Sequence, residues 1–402
     1  MTAFSLAWRT ARRYRARAVL AVCGVAVIGA LNFDMLMLSR GLMLSFAGLI
    51  NGTRYDVRIA GSAGLPLART PIDRASALLA QVQALPEVAS AAMMRTATAA
   101  LVRMNRPGEG IELIGSSDSA GLGIWRPVSG SNLDGDEGDR SLAPAVIARP
   151  IADRFDFAPG ATIAVRARAS SLSAIPTVRF RVVGIADFPF EAAGAFVVAT
   201  TMDGFARAQG GVVNDEAEFM FAASRPQVGA DAAAAAISKL RPDVRAFSNE
   251  QVIASFSRNA FTYFRQVSVV LSTTTAAFSF LLVTTLLTVS VNQRLGEVAA
   301  LRALGIARRR IAATLVWEAV LLVGIGGLLA LPLGELLAAI LDRILRRMPG
   351  LPAGLHFFVF EPQALLLHAA VLAATAAVAA TYPAWLAVKL PIAQTLRQEV
   401  VS

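Results

Sequence analysis

Residues 292–311 read NQRLGEVAALRALGIARRRI and stand between two long apolar runs, Val267–Val291 and Ile311–Leu341. The segment holds five arginines and one glutamate, and its apolar residues recur at helical spacing until Gly305 interrupts the pattern. This pattern is typical of a short amphipathic helix that lies on a membrane surface between two spanning helices. A cytoplasmic loop without a partner needs charge but no apolar stripe, so we favour a docking helix over such a loop.

Composition and charge place the chain in a membrane. Of its 402 residues 55% are hydrophobic and 16% charged, and the mean hydropathy is +0.56, whereas soluble domains are about one quarter charged. The net charge of +10 lies entirely on residues 1–17, 292–310 and 389–402, each beside an apolar run. Positive charge flanking spanning helices indicates cytoplasmic segments. No basic patch with interleaved aromatic residues lies elsewhere, so we expect no nucleic-acid partner.

Four apolar runs are each long enough to cross a bilayer, which requires about 20 residues. The first, Ala18–Leu38, follows a basic segment and therefore also resembles a signal peptide. It is too long for one, and no small-x-small cleavage site ends it, so we favour an uncleaved helix.

Asp34 is the only acidic residue of this first run. We expect Asp34 to reach water near the outer end of the helix, the alternative being a functional intramembrane carboxylate.

Residues 51–262 contain no spanning run, and short strand-like stretches alternate there with helical ones. The predicted strands are Tyr55–Ala60, Thr96–Met104, Ile111–Gly115, Thr162–Val165 and Val178–Ile185. The predicted helices are Pro71–Leu85, Leu142–Phe155, Thr201–Gln209 and Asp231–Leu240, the last capped by Asp231. An acidic loop at 130–140 lacks the ligand spacing of a calcium-binding loop, so we interpret it as solvated. The alternation predicts an α+β domain.

The predicted fold is a membrane protein with four transmembrane α-helices and a large α+β extracytoplasmic domain between helices 1 and 2. An even number of spans puts both termini on one side, and the charge pattern makes that side the cytoplasm. The expected segments are an amphipathic helix (1–17), the first span with a stalk (18–45), the extracytoplasmic domain (46–250), a stalk and second span (251–291), the cytoplasmic helix (292–310), the third span (311–341), an extracytoplasmic loop (342–361), the fourth span (362–388) and a cytoplasmic tail (389–402).

Catalytic and cofactor motifs are absent from the sequence. There is no G-x-x-x-x-G-K-[ST] phosphate loop, no G-x-S-x-G and no H-E-x-x-H. Cys23 is the only cysteine, and His356 and His368 have no companion ligands at metal-binding spacing. We therefore expect no catalytic site, no metal and no directly bound cofactor.

Three segments resemble the FtsX/MacB-like permeases of ABC transporters, in their four-span, type VII form. Residues 292–311 are similar to that family's segment between spans two and three, with Glu297 at its acidic position and Leu301–Gly305 matching its L-R-A-x-G core. The stretch from Tyr382 to Arg397 resembles its closing P-A-x-x-A…P…L-R pattern, and residues 4–18 resemble its amphipathic entry helix.

The resemblance implies a permease subunit in a bacterial inner membrane that dimerises with a second copy or a paralogue. A separate ABC ATPase would use the ATP, and its docking contact would be the helix between spans two and three. The residues carried over to that contact are Arg294, Glu297, Leu301, Arg302, Gly305, Arg308 and Arg309. Membrane lipids and a periplasmic adaptor protein are further expected partners. The substrate class stays open among lipids, lipoproteins, peptides and drugs.

Two other functions compete with export. One is an FtsX-like regulator whose outer domain activates or senses a cell-envelope protein without transporting anything. The other is a stand-alone membrane receptor, which a neighbouring gene for a phosphate-loop ATPase would argue against. Bound substrate or a required periplasmic adaptor in purified material would separate an exporter from a regulator.

Overall fold

A computed structural model of the chain describes residues 3–61, 70–103, 106–120, 123–134, 142–167, 177–211, 214–259, 261–293, 296, 305–346, 348 and 351–389. The chain forms two compact units. The first, the helical unit, comprises Met1–Leu44, Ala260–Leu345 and His356–Ser402. The second, the sheet unit, comprises Ser45–Asn259 and Arg346–Leu355.

Long helices lie towards both ends of the chain, and short strands and helices alternate between them. The described helices are α1 (Ala3–Arg13), α2 (Arg15–Asn51), α3 (Ala75–Gln83), α4 (Arg149–Phe155), α5 (Met202–Ala208), α6 (Ala230–Ser238), α7 (Asn249–Asn259), α8 (Phe261–Asn292), α9 (Arg308–Leu345) and α10 (Pro362–Lys389). The described strands are β1 (Val57–Gly61), β2 (Ile72–Asp73), β3 (Val88–Arg103), β4 (Arg106–Ser116), β5 (Arg126–Gly130), β6 (Ala143–Ala148), β7 (Thr162–Ala167), β8 (Val178–Asp187), β9 (Val197–Thr201), β10 (Glu216–Ala217), β11 (Phe219–Ser224) and β12 (Val244–Ser248).

Four of these helices are long and apolar enough to cross a membrane: Arg15–Asn51, Arg265–Asn292, Arg308–Leu345 and Pro362–Trp385. This confirms the predicted four-span fold with a large α+β domain between spans one and two. Two helices are longer than predicted. The first span continues to Asn51, and the third begins before and ends after the predicted residues 311–341.

Small residues let the spans of the helical unit pack closely. A Cβ atom added to Gly326 of α9 would lie 2.7 Å from the Cβ of Val25 on α2, and one added to Gly327 would meet Leu372 of α10. Close contacts of this kind associate helices where no hydrophobic effect acts between helix and lipid. Pro332 lies further along the same continuous helix α9.

Several polar side chains inside the helical unit form hydrogen bonds to neighbouring helices or to their own backbone. The Nδ2 of Asn32 on α2 donates to Ser272 Oγ at 2.9 Å and to Thr275 Oγ1 at 3.1 Å on α8. Thr273 and Thr274 donate to carbonyls one turn earlier in α8, at 2.7 and 2.8 Å. The threonine-rich second span therefore uses its hydroxyls for packing and backbone hydrogen bonds, as predicted.

Asp34 contradicts the sequence-based expectation. The residue is 1% exposed, and its two carboxylate oxygens have no hydrogen-bond partner among the described residues. The physical reason is the length of α2, which places Asp34 in mid-helix rather than at an end. There it packs on α9, where a Cβ added to Gly334 would lie 3.3 Å from Asp34 Oδ1.

The sheet unit is built on one ten-stranded mixed sheet. Its strand order is β12-β1-β11-β3-β4-β9-β6-β8-β5, and β7 pairs with β3 and β8. Helices α3 and α6 cover one part of a face, and α4 and α5 cover another part. The opposite face carries a third apolar cluster that includes Tyr55, Met94, Trp125 and Phe221.

The five predicted strands are confirmed, but three details of the α+β prediction are wrong. The helix predicted over Pro71–Leu85 begins only at Ala75, because Ile72–Asp73 pair with Glu216–Ala217 as strand β2. Residues 142–155 form strand β6 before the short helix α4, because Ala145 and Ile147 are buried on one face while Val146 and Ala148 are buried on the other. A strand buried on both faces shows no polar alternation and resembles a helix in sequence. Asp231 does not cap α6; the cap position is Gly229, at φ +84°.

The connection between α9 and α10 contributes to the sheet unit. Ala353 N donates to Glu191 O at 2.6 Å, and Gly354 N donates to Pro189 O at 2.8 Å. An isolated β-bridge joins Ala192 to Pro352. A connection that hydrogen-bonds to the large domain lies on the same side of the membrane as that domain, as four spans require.

Within α2, substitution of two glycines by alanine is expected to shift stability in opposite directions. A Cβ at Gly41 would lie 2.5 Å from the backbone nitrogen of Val359, whereas nothing lies within 4 Å of one at Gly48. Backbone cannot yield as a flexible side chain does, so Gly41→Ala should lower the free energy of unfolding by about 1–3 kcal/mol. Gly48→Ala should raise it by up to about 1 kcal/mol through helix propensity. The measurement compares the thermal unfolding midpoints of the two variants in the same detergent. Equal shifts would contradict the close packing of Gly41 against the backbone of Val359.

Candidate functional site at the helix ends beside residues 294–304

The predicted docking residues fall partly within the described structure. Arg294, Glu297, Leu301 and Arg302 lie outside the described residues. Gly305, Arg308 and Arg309 are described, and all three are exposed. Gly305 has φ +87°, a left-handed conformation that favours glycine, and α9 begins three residues later.

Three consecutive arginines, Arg308–Arg310, form the first turn of α9. Positive charge at a helix N-terminus opposes the helix dipole and costs about 0.3–1 kcal/mol per residue. All three are exposed, and none forms an ion pair within the described part of the chain. Such a turn is suited to contact acidic groups outside this chain, on a lipid headgroup or on a partner protein.

The ends of the helices flanking residues 294–304 are held together by an apolar contact. Val291 at the end of α8 packs with Ile311 and Leu315 of α9, and Ile306 and Ala384 are packed against this cluster. The cluster therefore connects α8, α9 and α10 beside residues 294–304.

A polar junction lies beside this cluster. Arg17 on α2 donates through Nη2 to Ser290 Oγ at 2.5 Å, and the same atom is 3.5 Å from Glu318 Oε1 on α9. Ser290 on α8 donates to Glu318 Oε1 at 3.1 Å, and Arg17 also donates to Gln293 Oε1 at 3.0 Å. We call Arg17, Ser290 and Glu318 the polar junction; it ties three spans together where the docking segment begins.

The polar junction is largely buried, which raises the cost in stability of removing one of its charges. Glu318 is 2% exposed and the Arg17 side chain is largely covered. A buried pair adds little net stability, but the loss of one partner leaves an uncompensated charge and costs several kcal/mol. The sequence offered one hint that our prediction did not use: Glu318 is an isolated acid near the start of a spanning helix, and the entry segment before span one is basic.

Helix α1 packs on α9 rather than only on lipid. The rings of Phe4 and Trp317 meet edge to face with centroids 5.5 Å apart, and Ala7 is fully buried. The small side chain of Ala7 permits this close helix contact. Phe4 and Trp8 remain about half exposed and are free to contact the membrane.

Metal chemistry has no support at this site or elsewhere in the described chain, since no group of three His, Cys, Asp or Glu residues among the described ones could hold an ion. The acidic loop at 130–140 lies mostly outside the described residues. The described part of the site offers exposed charges, helix packing and contacts between helices.

Two family models match the chain. Residues 18–240 match the MacB-like periplasmic core domain, and residues 269–392 match the C-terminal part of FtsX-like permeases. The chain belongs to the FtsX/MacB-like permeases of ABC transporters. Together the two matches cover most of the sheet unit, most of each of the four spans and the segment at residues 294–304. Membership confirms the resemblance stated from the sequence and makes the chain a transmembrane permease of a family whose ATPase is a partner.

Solved structures with a similar fold are domains of two transporters. The chain is similar to the periplasmic region of MacB from Actinobacillus actinomycetemcomitans, with 12% identity and a TM-score of 0.40, over 52% of this chain and 95% of that one. It is also similar to the extracellular domain of the noncanonic ABC-type transporter YknZ from Gram-positive bacteria, with 10% identity and a TM-score of 0.32, over 48% and 99%. No curated protein sequence matches this chain.

Loss of the carboxylate at the polar junction should destabilise the helical unit more than the loss of an exposed one. Glu318→Gln leaves Arg17 without its counter-charge, and we expect the free energy of unfolding to fall by about 1–3 kcal/mol. The matched control is Glu361→Gln, which removes the more exposed pair with Arg40 (3.2 Å) and should cost less than about 1 kcal/mol. The measurement is denaturant unfolding of both variants in the same detergent. Equal losses in the free energy of unfolding would show that the polar junction contributes no more than the more exposed pair.

Proposed function

We propose that this permease couples ATP hydrolysis by a separate ATPase subunit to movement of its extracytoplasmic domain, and thereby to export or extraction of an envelope substrate. The observation that carries the proposal is the polar junction beside the docking segment. Because Arg17, Ser290 and Glu318 join α2, α8 and α9, a push on that segment acts on three spans at once. Helices are stiff, and two of these three connect directly to the ends of the large domain in sequence.

The proposed contact with the ATPase consists of Arg294, Glu297, Leu301, Arg302, Gly305, Arg308 and Arg309. The exposed arginine turn at the start of α9 supports it, because unpaired positive charge opposing a helix dipole is stabilised by acidic groups on a partner. A helix with one apolar stripe can fill a groove while its charges fix the orientation. ATP is bound and hydrolysed by the partner, and this chain binds no cofactor directly.

We further propose a bacterial inner membrane location with both termini in the cytoplasm and the sheet unit outside. The placement of the charge excess on residues 1–17, 292–310 and 389–402 supports this orientation. A second permease copy or paralogue, membrane lipids and a periplasmic adaptor complete the proposed assembly. The substrate would be a lipid, lipoprotein, peptide or drug.

The coupling role predicts that Gly305→Trp and Glu297→Arg abolish stimulation of ATP hydrolysis by the permease. Both variants alter the proposed contact, and Gly305 also allows the turn that precedes α9. The measurement is the hydrolysis rate of the co-purified complex in nanodiscs, together with the amount of ATPase retained. We expect at least a tenfold loss of stimulated rate or a loss of the ATPase itself.

Gly210→Trp is the matched control for the glycine variant. Gly210 has φ +88° against +87° at Gly305, and neither has an atom within 4 Å of an added Cβ. The backbone strain is therefore equal, but Gly210 lies in the sheet unit. Full assembly and full stimulation in both docking variants would refute the proposed contact. Full coupling without any exported or extracted envelope component would favour the regulator over the exporter.

A further inference from the structure

An arginine lies buried in the apolar interior of the sheet unit. Arg58 occupies the middle of β1 and is only 7% exposed. Its neighbours Val57 and Ile59 point into the cluster beneath α3 and α6. Because successive side chains of a strand alternate between faces, Arg58 points to the opposite face of the sheet.

The strand register places aromatic rings around this arginine. Arg58 is paired with Phe221 of β11, and directly paired residues project on the same side. The guanidinium carbon lies 5.4 Å from the centre of the Phe221 ring and 5.8 Å from that of Phe190. These are cation–π distances, so the two rings attract the charge without accepting its hydrogen bonds.

The carboxylate of Glu191 lies in the lining of the same cavity as Arg58, but it forms no ion pair with the guanidinium. Its Nε and Nη2 atoms are buried without a hydrogen-bond partner, and within the described ranges it forms no ion pair. Burial lowers the pKa of Arg58 to about 10, so the side chain still carries its charge at neutral pH. Proteins rarely bury an unpaired charge, and those that do commonly hold it for a ligand.

A cavity of about 200 Å³ adjoins the guanidinium. Apolar side chains make up most of its lining, and Thr53, Thr96 and Glu191 add polar atoms. The apolar and aromatic members are Met94, Ile114, Ile124, Phe190, Phe219 and Phe221. The cavity therefore combines the cation of Arg58 with a mostly apolar lining. Such a site is complementary to a molecule with one anionic end and a hydrocarbon body.

We propose that this cavity binds the singly charged anionic head of an apolar amphiphile, either a carboxylate or a phosphodiester. The planar guanidinium has parallel donors that match two oxygens of such a head. Glu191 in the same lining disfavours a doubly charged head. The volume is below that of drug-sized pockets, which begin near about 300 Å³, so the head and a short stem enter while the remainder extends outside.

The test uses the full chain in phosphatidylcholine nanodiscs, without ATPase, so it fails or succeeds separately from the coupling proposal. Octanoate and dioctanoyl-phosphatidylglycerol are titrated by calorimetry against empty nanodiscs, with octanol as the uncharged probe. We expect one site for at least one anion, and Arg58→Met should weaken it at least tenfold. Octanoate alone, phosphatidylglycerol alone or both identifies the head that the cavity accepts.

Arg154→Met is the matched control variant. Arg154 also lies over two rings, those of Phe155 and Phe196, but it is exposed and paired with Glu109. The substitution removes the same charge from the same unit, and we expect affinity within twofold of the unaltered protein. Met94→Phe narrows the cavity while keeping the charge, and it should also weaken binding at least tenfold.

Three outcomes would overturn the proposal. They are the absence of binding by both anions, equal affinity in Arg58→Met, and octanol binding as tightly as octanoate. Removal of an unpaired buried charge should leave the thermal midpoint unchanged or higher, as is typical of binding residues that cost stability. If Arg58→Met nevertheless fails to fold, Met94→Phe decides, and unaltered affinity in that variant overturns the site.

Discussion

Charge removed from water must find a compensating partner, and this requirement governs the construction of the chain. At the polar junction the requirement is met within the chain, since Arg17, Ser290 and Glu318 satisfy one another across three spans. At Arg58 and Asp34 it is not met by any described residue. The first arrangement fixes helices relative to one another; the other two leave a buried polar group available. The polar junction and these two residues thus differ in how their buried charges are paired.

Helices α1 and α2 also contact the helices on either side of residues 294–304, α2 through the polar junction. Arg17 stands near the start of α2, immediately after the short break at Tyr14 that separates it from α1. Its donors reach Ser290 on α8 and Gln293, the residue that follows α8 and precedes residues 294–304. Helix α1 is fastened to α9 by Phe4 and Trp317. The N-terminal basic segment is therefore packed against the spans of the helical unit.

Sequence reasoning recovered what composition and periodicity encode. Four spans, the α+β character of the middle and the family followed from hydropathy, charge placement and the motif at residues 292–311. It failed where the answer depends on three-dimensional surroundings. Residues 142–148 resembled a helix because their strand is buried on both faces. Asp34 was expected to reach water because its packing against α9 is not visible in the sequence. The Arg17–Glu318 contact joins residues 301 positions apart, which no local pattern can indicate.

Arg58 shows the same limit in a sharper form. In the sequence Val57-Arg58-Ile59, apolar and charged residues alternate as in a strand with one solvent-exposed face. The ordinary interpretation is therefore an arginine that faces solvent. The structure covers that face with Tyr55, Trp125 and Phe188 and with the segments that carry them, so the arginine becomes a buried one. A residue chosen only for solubility would lose nothing by being apolar there, because an apolar side chain would pack without unsatisfied donors. The cost of burying this arginine without a hydrogen-bond partner makes the cavity, rather than the sheet as a whole, the part of the sheet unit where ligand chemistry should be sought.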